Sequence, residues 1–315
     1  MKINKLISAV TLVTSLISTN ALAAEKEMTL MLDWFVNPNH GPIVIAKERG
    51  YFKQQGLTVN IQEPADPSTP AKLVAAGKVD MAISYQPSLT IDVAAGLPLI
   101  RSATLVATPL NTLMVLDNGK NENLADLKGK KIGIAISGNE GATVGTMLAQ
   151  EDVELSDVQM INVGWALSSS LASGKVDAIW GGLRNFETNQ LALEGYKAKS
   201  FYPEEHGVPA YDELVFVANA KSYDKEMIQA FNTALQQATT YIVNHPETSW
   251  KEFVAYAPDT LDNELNHRAW KDTLTRFALR PSAVDLKRYD DYAKFMFDKK
   301  IIETLPKAKD YVLSL

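Results

Sequence analysis

The chain has no cysteine. That excludes a thiolate nucleophile, a Cys-ligated metal and a lipid-anchored N-terminal cysteine. It leaves the compartment open, because disulfides are optional outside the cytosol. Histidine is scarce as well: His40, His206, His245 and His267 are the four, and none has a second histidine or an acid at the spacing of a metal-binding helix. No G-x-S-x-G turn occurs, so the nucleophile elbow of a serine hydrolase is missing. A net charge of -6 with no long basic stripe argues against nucleic acid as a partner. Carboxylates are plentiful, but no arrangement of them in the sequence demands catalysis. No catalytic residue, cofactor or metal is therefore assigned, and a binding protein is expected rather than an enzyme.

What is present begins with a leader. Lys2 and Lys5 give a basic start, Leu6 to Ile17 is mostly apolar, and Ala21-Leu22-Ala23 has the small-x-small form of a signal-peptidase site. The apolar stretch is too short and too rich in Ser and Thr for a membrane span. Residues 1–23 are read as a cleaved signal peptide, and the mature chain as a freely soluble, monomeric periplasmic protein. Loss of the two lysines takes the charge from -6 to -8. A length of 315 residues, 46% hydrophobic and 22% charged, suits about two soluble domains.

The mature chain opens on a short apolar run, Met28 to Leu32, followed by Asp33-Trp34-Phe35-Val36-Asn37-Pro38-Asn39-His40 and a helix closed by Gly50. A strand-to-helix turn carrying an acid, an indole, two amides and an imidazole suits a small polar aromatic ligand. The indole offers a flat face, the amides offer paired donors and acceptors, and the helix start offers free N–H groups. Strand patterns at Leu57–Ile61 and Val79–Ile83 alternate with helix patterns, giving β-α-β-α-β-α and a mainly parallel sheet. An echo follows. Leu73-Val74-Ala75-Ala76-Gly77-Lys78-Val79-Asp80-Met81-Ala82-Ile83 recurs as Leu171-Ala172-Ser173-Gly174-Lys175-Val176-Asp177-Ala178-Ile179-Trp180, which predicts two similar α/β lobes. Strands are further expected at Thr112–Leu116, Asp157–Val163 and Tyr211–Val217, and the chain after Ser222 reads as mostly helical.

Open α/β sheets bind ligands at the ends of their strands. Polar and aromatic residues gather in those loops: Trp34, Asn37 and His40; Tyr85 and Gln86; Ser137, Gly138 and Asn139; Trp165, Trp180 and Asn185; Tyr211 and Glu213. As a set they predict a ligand crevice.

The string Leu32-Asp33-Trp34-x-x-Asn37-x-Asn39-His40, then Ala46-Lys47-Glu48-Arg49-Gly50-Tyr51-Phe52 and Gly56-Leu57-Thr58-Val59, closely resembles the thiamine-pyrimidine-precursor family. Leu73 to Ser88, Leu127 to Gly133 and Tyr211-x-Glu213-Leu214 continue the likeness over most of the mature chain. The family holds substrate-binding proteins of ABC transporters and the fungal pyrimidine synthases. The resemblance implies a type II periplasmic binding fold: two α/β lobes joined by two crossing strands, with the ligand between them. It implies an aminopyrimidine of the formylaminopyrimidine type, stacked on Trp34 and Tyr211 and met by the acid Glu213, then delivered to an ABC permease after hinge closure. Lobe one is expected at residues 24–115 with 213–315 and lobe two at 116–212, with crossings near 113–118 and 209–215. The alternatives are a binder of another heteroaromatic or of a sulfonate, and a synthase-like enzyme. The fungal synthases carry a Cys-rich iron motif that this cysteine-free chain lacks.

Overall fold

A computed structural model describes residues 25–138 and 140–314. The expected leader and Asn139 lie outside the described residues. Among the described residues are ten strands: β1 Lys26–Met31, β2 Leu57–Gln62, β3 Met81–Ser84, β4 Leu99–Val106, β5 Asn111–Leu116, β6 Lys131–Ile134, β7 Gln159–Asn162, β8 Ala178–Leu183, β9 Ala198–Phe201 and β10 Leu214–Asn219. They form two five-stranded sheets, ordered β2-β1-β3-β10-β4 and β7-β6-β8-β5-β9. In the first, β1 runs parallel to β2 and β3, while β10 is antiparallel to β3 and β4. In the second, β6 runs parallel to β7 and β8, while β5 is antiparallel to β8 and β9. The two sheets share one plan, and the antiparallel slot in each is filled by the strand that follows a crossing.

The sequence echo is this shared plan. Gly77 and Gly174 both take the left-handed conformation, φ +67° and +73°, which ends a helix and turns the chain into a strand. Three residues on, Asp80 accepts a hydrogen bond from the Thr29 N–H at 2.7 Å, and Asp177 accepts one from the Lys131 N–H at 2.9 Å. Each echoed aspartate thus fastens its strand to the neighbouring parallel strand.

Two expectations need correction. The strand Asn111–Leu116 pairs in the second sheet, so the chain changes sheets within residues 107–110 rather than after it. The strand expected from Tyr211 starts only at Leu214, which leaves Tyr211, Asp212 and Glu213 in the return crossing. The sequence also conceals β4. All eight of its residues are buried, including Arg101, Ser102 and Thr104. Arg101 Nη2 donates there to Thr104 Oγ1 at 2.6 Å and to the Pro281 and Ala283 carbonyls at 3.0 and 2.7 Å, while the buried Nε has no partner.

Helices cover the sheets. Lys225–Asn244 packs Phe231, Leu235 and Ile242 onto the first sheet's core beside Leu30, Ile43 and Phe216. The helix Leu286–Asp298 belongs to both units: Tyr289 joins a cluster with Met31 and Val215 of the first sheet, and Tyr292 and Met296 enter the core of the second.

Candidate functional site

A cavity lies between the units, at the C-terminal ends of β1, β3, β6 and β8. It is lined from the first unit by Asp33, Trp34, Asn37, Asn39, Tyr85 and Ser88. From the second come Asn111, Ala135, Ile136, Leu167, Trp180, Gly181, Leu183, Phe186 and Glu187. The space inside it is about 690 Å³, part of it continuous with solvent.

The turn after β1 holds its side chains by local hydrogen bonds. Asn37 Oδ1 accepts from the Asn39 N–H at 2.9 Å, and His40 Nδ1 accepts from the Asn37 N–H at 3.2 Å, a reciprocal cap on the 3-10 turn Pro38–His40. With Nδ1 accepting, the proton sits on His40 Nε2, which donates to Asp33 Oδ1 at 2.9 Å. Tyr85 O–H donates to the other oxygen, Oδ2, at 2.7 Å. Burial pushes the Asp33 carboxyl up, but the hydrogen bonds from His40 and Tyr85 outweigh it and hold the group below the usual carboxylate range. Burial and the Asp33 charge push the Tyr85 phenol well up, so it stays a donor.

Across the cavity, β8 bulges at Gly181. Thr112 pairs with Gly182 and Leu113 with Trp180, leaving Gly181 unmatched at φ +105°. The bulge sets Trp180, Gly181 and Leu183 along the cavity. Phe186 and Glu187 follow at the start of the helix Glu187–Leu193. Glu187 Oε2 accepts from the Leu183 N–H at 2.7 Å. Burial pushes this carboxyl up to about 7, against the Leu183 N–H that favours its charge. The cavity therefore presents one ionised acid with both oxygens engaged, and a second acid poised near neutrality with acceptor capacity to spare.

The expected site residues divide. Trp34, Asn37, Tyr85 and Trp180 line this cavity. Ser137 and Gly138 line a second compartment beside it, and Asn139 lies outside the described residues. Trp165 stands at the mouth, 43% exposed, its ring 4.1 Å from that of Trp34.

The other five do not line this cavity. His40 is buried and orients Asp33. Gln86 Oε1 accepts from the Asp212 N–H at 2.8 Å, which ties the helix after β3 to the return crossing. Asn185 is 1% exposed and its amide nitrogen donates to Asn39 Oδ1 at 2.7 Å and Thr273 Oγ1 at 2.6 Å, bridging the two units. Tyr211 packs in the second core, its ring 5.4 Å from that of Tyr292. Glu213 is fully buried; its oxygens accept from the Leu110 N–H at 2.5 Å, the Asn111 N–H at 2.9 Å and Asn111 Nδ2 at 2.8 Å. It clasps one crossing to the other. Burial lifts it to about 7, opposed by the Asn111 and Leu110 N–H groups.

Asp33 and Asn39 stood in the recognised string but were not singled out, and Glu187 was missed. Its one sequence signal is its place two residues beyond Asn185, just after a strand.

The sequence model described as NMT1/THI5 like matches residues 37–249. A Haemophilus influenzae protein named for thiamine biosynthesis is 48% identical over 292 residues, 93% of each chain. The formylaminopyrimidine-binding protein of Halalkalibacterium halodurans is 34% identical over 78% of this chain and 77% of its own. A Saccharomyces cerevisiae 4-amino-5-hydroxymethyl-2-methylpyrimidine phosphate synthase, THI13, is 28% identical over 85% and 82%. Among solved structures, the alkanesulfonate-binding protein SsuA of Xanthomonas axonopodis pv. citri superposes with a TM-score of 0.72 at 18% identity, over 92% of this chain and 99% of that one. The fold is thus that of the type II periplasmic binding proteins, as the resemblance implied.

Proposed function

The chain belongs to the NMT1/THI5-like family, and we propose that it is a periplasmic solute-binding protein that captures a thiamine pyrimidine precursor of the formylaminopyrimidine type for an ABC permease. The observation that carries this reading is the joint lining of one cavity by aromatic faces and by two buried acids, Asp33 and Glu187, contributed by both units. Trp34, Trp180 and Phe186 offer faces to a flat heteroaromatic ring. An aminopyrimidine edge presents an N–H donor beside a ring-nitrogen acceptor. A protonated carboxyl at Glu187 matches both, donating to the ring nitrogen and accepting from the amine. Asp33, fixed by His40 and Tyr85, adds an ionised acceptor.

In this reading the two sheets with their helices are two lobes, residues 25–106 with 214–314 and residues 111–201, hinged at the crossings that Glu213 ties together. Closure buries the ring and presents a joined surface to the permease. The mature chain is a monomer in the periplasm, released by cleavage near Ala23. The 34% identity to a formylaminopyrimidine-binding protein supports the ligand class, and the absence of cysteine supports a binder over a synthase.

Calorimetry of the mature protein against formylaminopyrimidine, hydroxymethylpyrimidine, riboflavin and taurine tests it. Saturable binding of the two pyrimidines alone is expected. Binding of taurine with no pyrimidine binding would overturn the reading.

A further inference from the structure

A second compartment adjoins the ring cavity and shares Asp33, Tyr85, Ser88 and Ile136 with it. Its space is about 660 Å³, part of it open to solvent, and Lys72, Asp92 and Gly138 line it without lining the ring cavity. Ser88 and Asp92 lie four residues apart on the helix Gln86–Ala94, so they sit on one face a single turn apart. Ser88 lines both compartments and Asp92 only the second. Asp92 is half-buried, and its carboxyl takes no hydrogen bond or ion pair among the described residues. A carboxylate held partly out of water without a donor is costly, and an incoming cation or N–H group would repay that cost. Burial pushes the Asp92 carboxyl up to about 6, against the charge of Lys72, which is exposed. Asp33, at the junction, is a second negative charge. The compartment therefore faces a bound arm with two acids and one solvated lysine.

We propose that this compartment receives a cationic arm on the ligand's pyrimidine ring, with Asp92 as its determinant, and that it disfavours an anionic arm such as a phosphate ester. The proposal rests on the aminopyrimidine reading above. Within that reading it ranks ligands: compounds whose arm carries an ammonium about one helical turn from the ring, ~5 Å, bind more tightly than neutral-armed ones, and phosphate esters bind most weakly.

Three probes sharing the ring test it by calorimetry on the mature chain near neutral pH: 4-amino-2,5-dimethylpyrimidine, which has no arm; its analogue with an aminopropyl arm at the ring carbon; and the phosphate ester of the hydroxymethyl compound. The ammonium-armed probe should bind about tenfold tighter than the armless one, and the phosphate ester more weakly than either. Asp92→Asn should erase the gain while leaving armless binding unchanged, which also shows that the variant is folded. The exposed Lys72→Ala should raise affinity for the ammonium arm a few-fold. An ammonium arm that adds nothing, a gain that survives Asp92→Asn, or a phosphate ester that outbinds the armless ring would overturn the proposal. Failure of all three probes to bind the parent refutes the aminopyrimidine reading itself, and this proposal with it.

Discussion

Glu187 offers the sharpest test of the recognition chemistry. Its carboxyl lines the cavity, is tied by the Leu183 N–H at 2.7 Å, and is raised by burial to about 7. Pairing a carboxyl with an aminopyrimidine edge requires one proton shared between them. Below about pH 7 the free protein already holds that proton, so affinity should be flat. Above it, free Glu187 is ionised and binding must draw a proton from water, so Kd should rise by up to about tenfold per pH unit. The sign follows from the ligand favouring the protonated carboxyl: affinity is full below the raised pKa and lost above it. Glu187→Gln keeps one donor and one acceptor in the same place but cannot titrate. It should cost no more than about 1 kcal/mol in mild acid and abolish the slope. Glu187→Ala removes both partners and should cost about 1–3 kcal/mol, roughly five- to 150-fold in Kd. Calorimetry at about pH 6 and about pH 8.5, in two buffers of different ionisation enthalpy, reads both the slope and the proton uptake. A Gln variant that keeps the parent's slope would place the proton elsewhere, and an Ala variant as tight as the parent would remove Glu187 from recognition.

Other expectations follow from single contacts. Trp34→Ala removes an aromatic face and should weaken every pyrimidine ligand alike by about 1–2 kcal/mol in calorimetric titration. Glu213→Gln turns an amide NH2 toward the Leu110 and Asn111 donors that the carboxyl now satisfies. It should lower stability by about 1–3 kcal/mol in urea unfolding and leave ligand selectivity unchanged; a switch in selectivity with unaltered stability would return Glu213 to the site. A Cβ at Gly41 would lie 2.7 Å from the Trp270 ring, so Gly41→Ala should cost about 1–3 kcal/mol by overpacking, read as a lower melting temperature. Mass spectrometry of exported protein should find a chain beginning near Ala24, and an intact leader would contradict the export reading.

Local patterns carried much of the architecture. The alternation of apolar runs with Gly-stopped helices gave the α/β class, because burial period and left-handed glycines are fixed within a few residues of chain. The Gly-Lys-Val-Asp echo identified two like units, since each aspartate performs the same task on its own neighbouring strand. The turn from Asp33 to His40 was legible for the same reason: its reciprocal cap and its His40–Asp33 pair run between residues at most seven apart. What depended on distant pairing was not legible. Arg101 disguised β4, because its partners lie about 180 residues away at Pro281 and Ala283. Tyr211 and Glu213 carry the family likeness, yet long-range contacts place them in the core and at the crossings. Glu213 spends its oxygens on Leu110 and Asn111, 103 and 102 residues earlier. Glu187, unremarkable in sequence, became a cavity acid because the Gly181 bulge brings the chain after β8 to the cavity. An acid's type is written in the sequence; whether it meets a ligand, a backbone donor or water is decided by which strands pair around it.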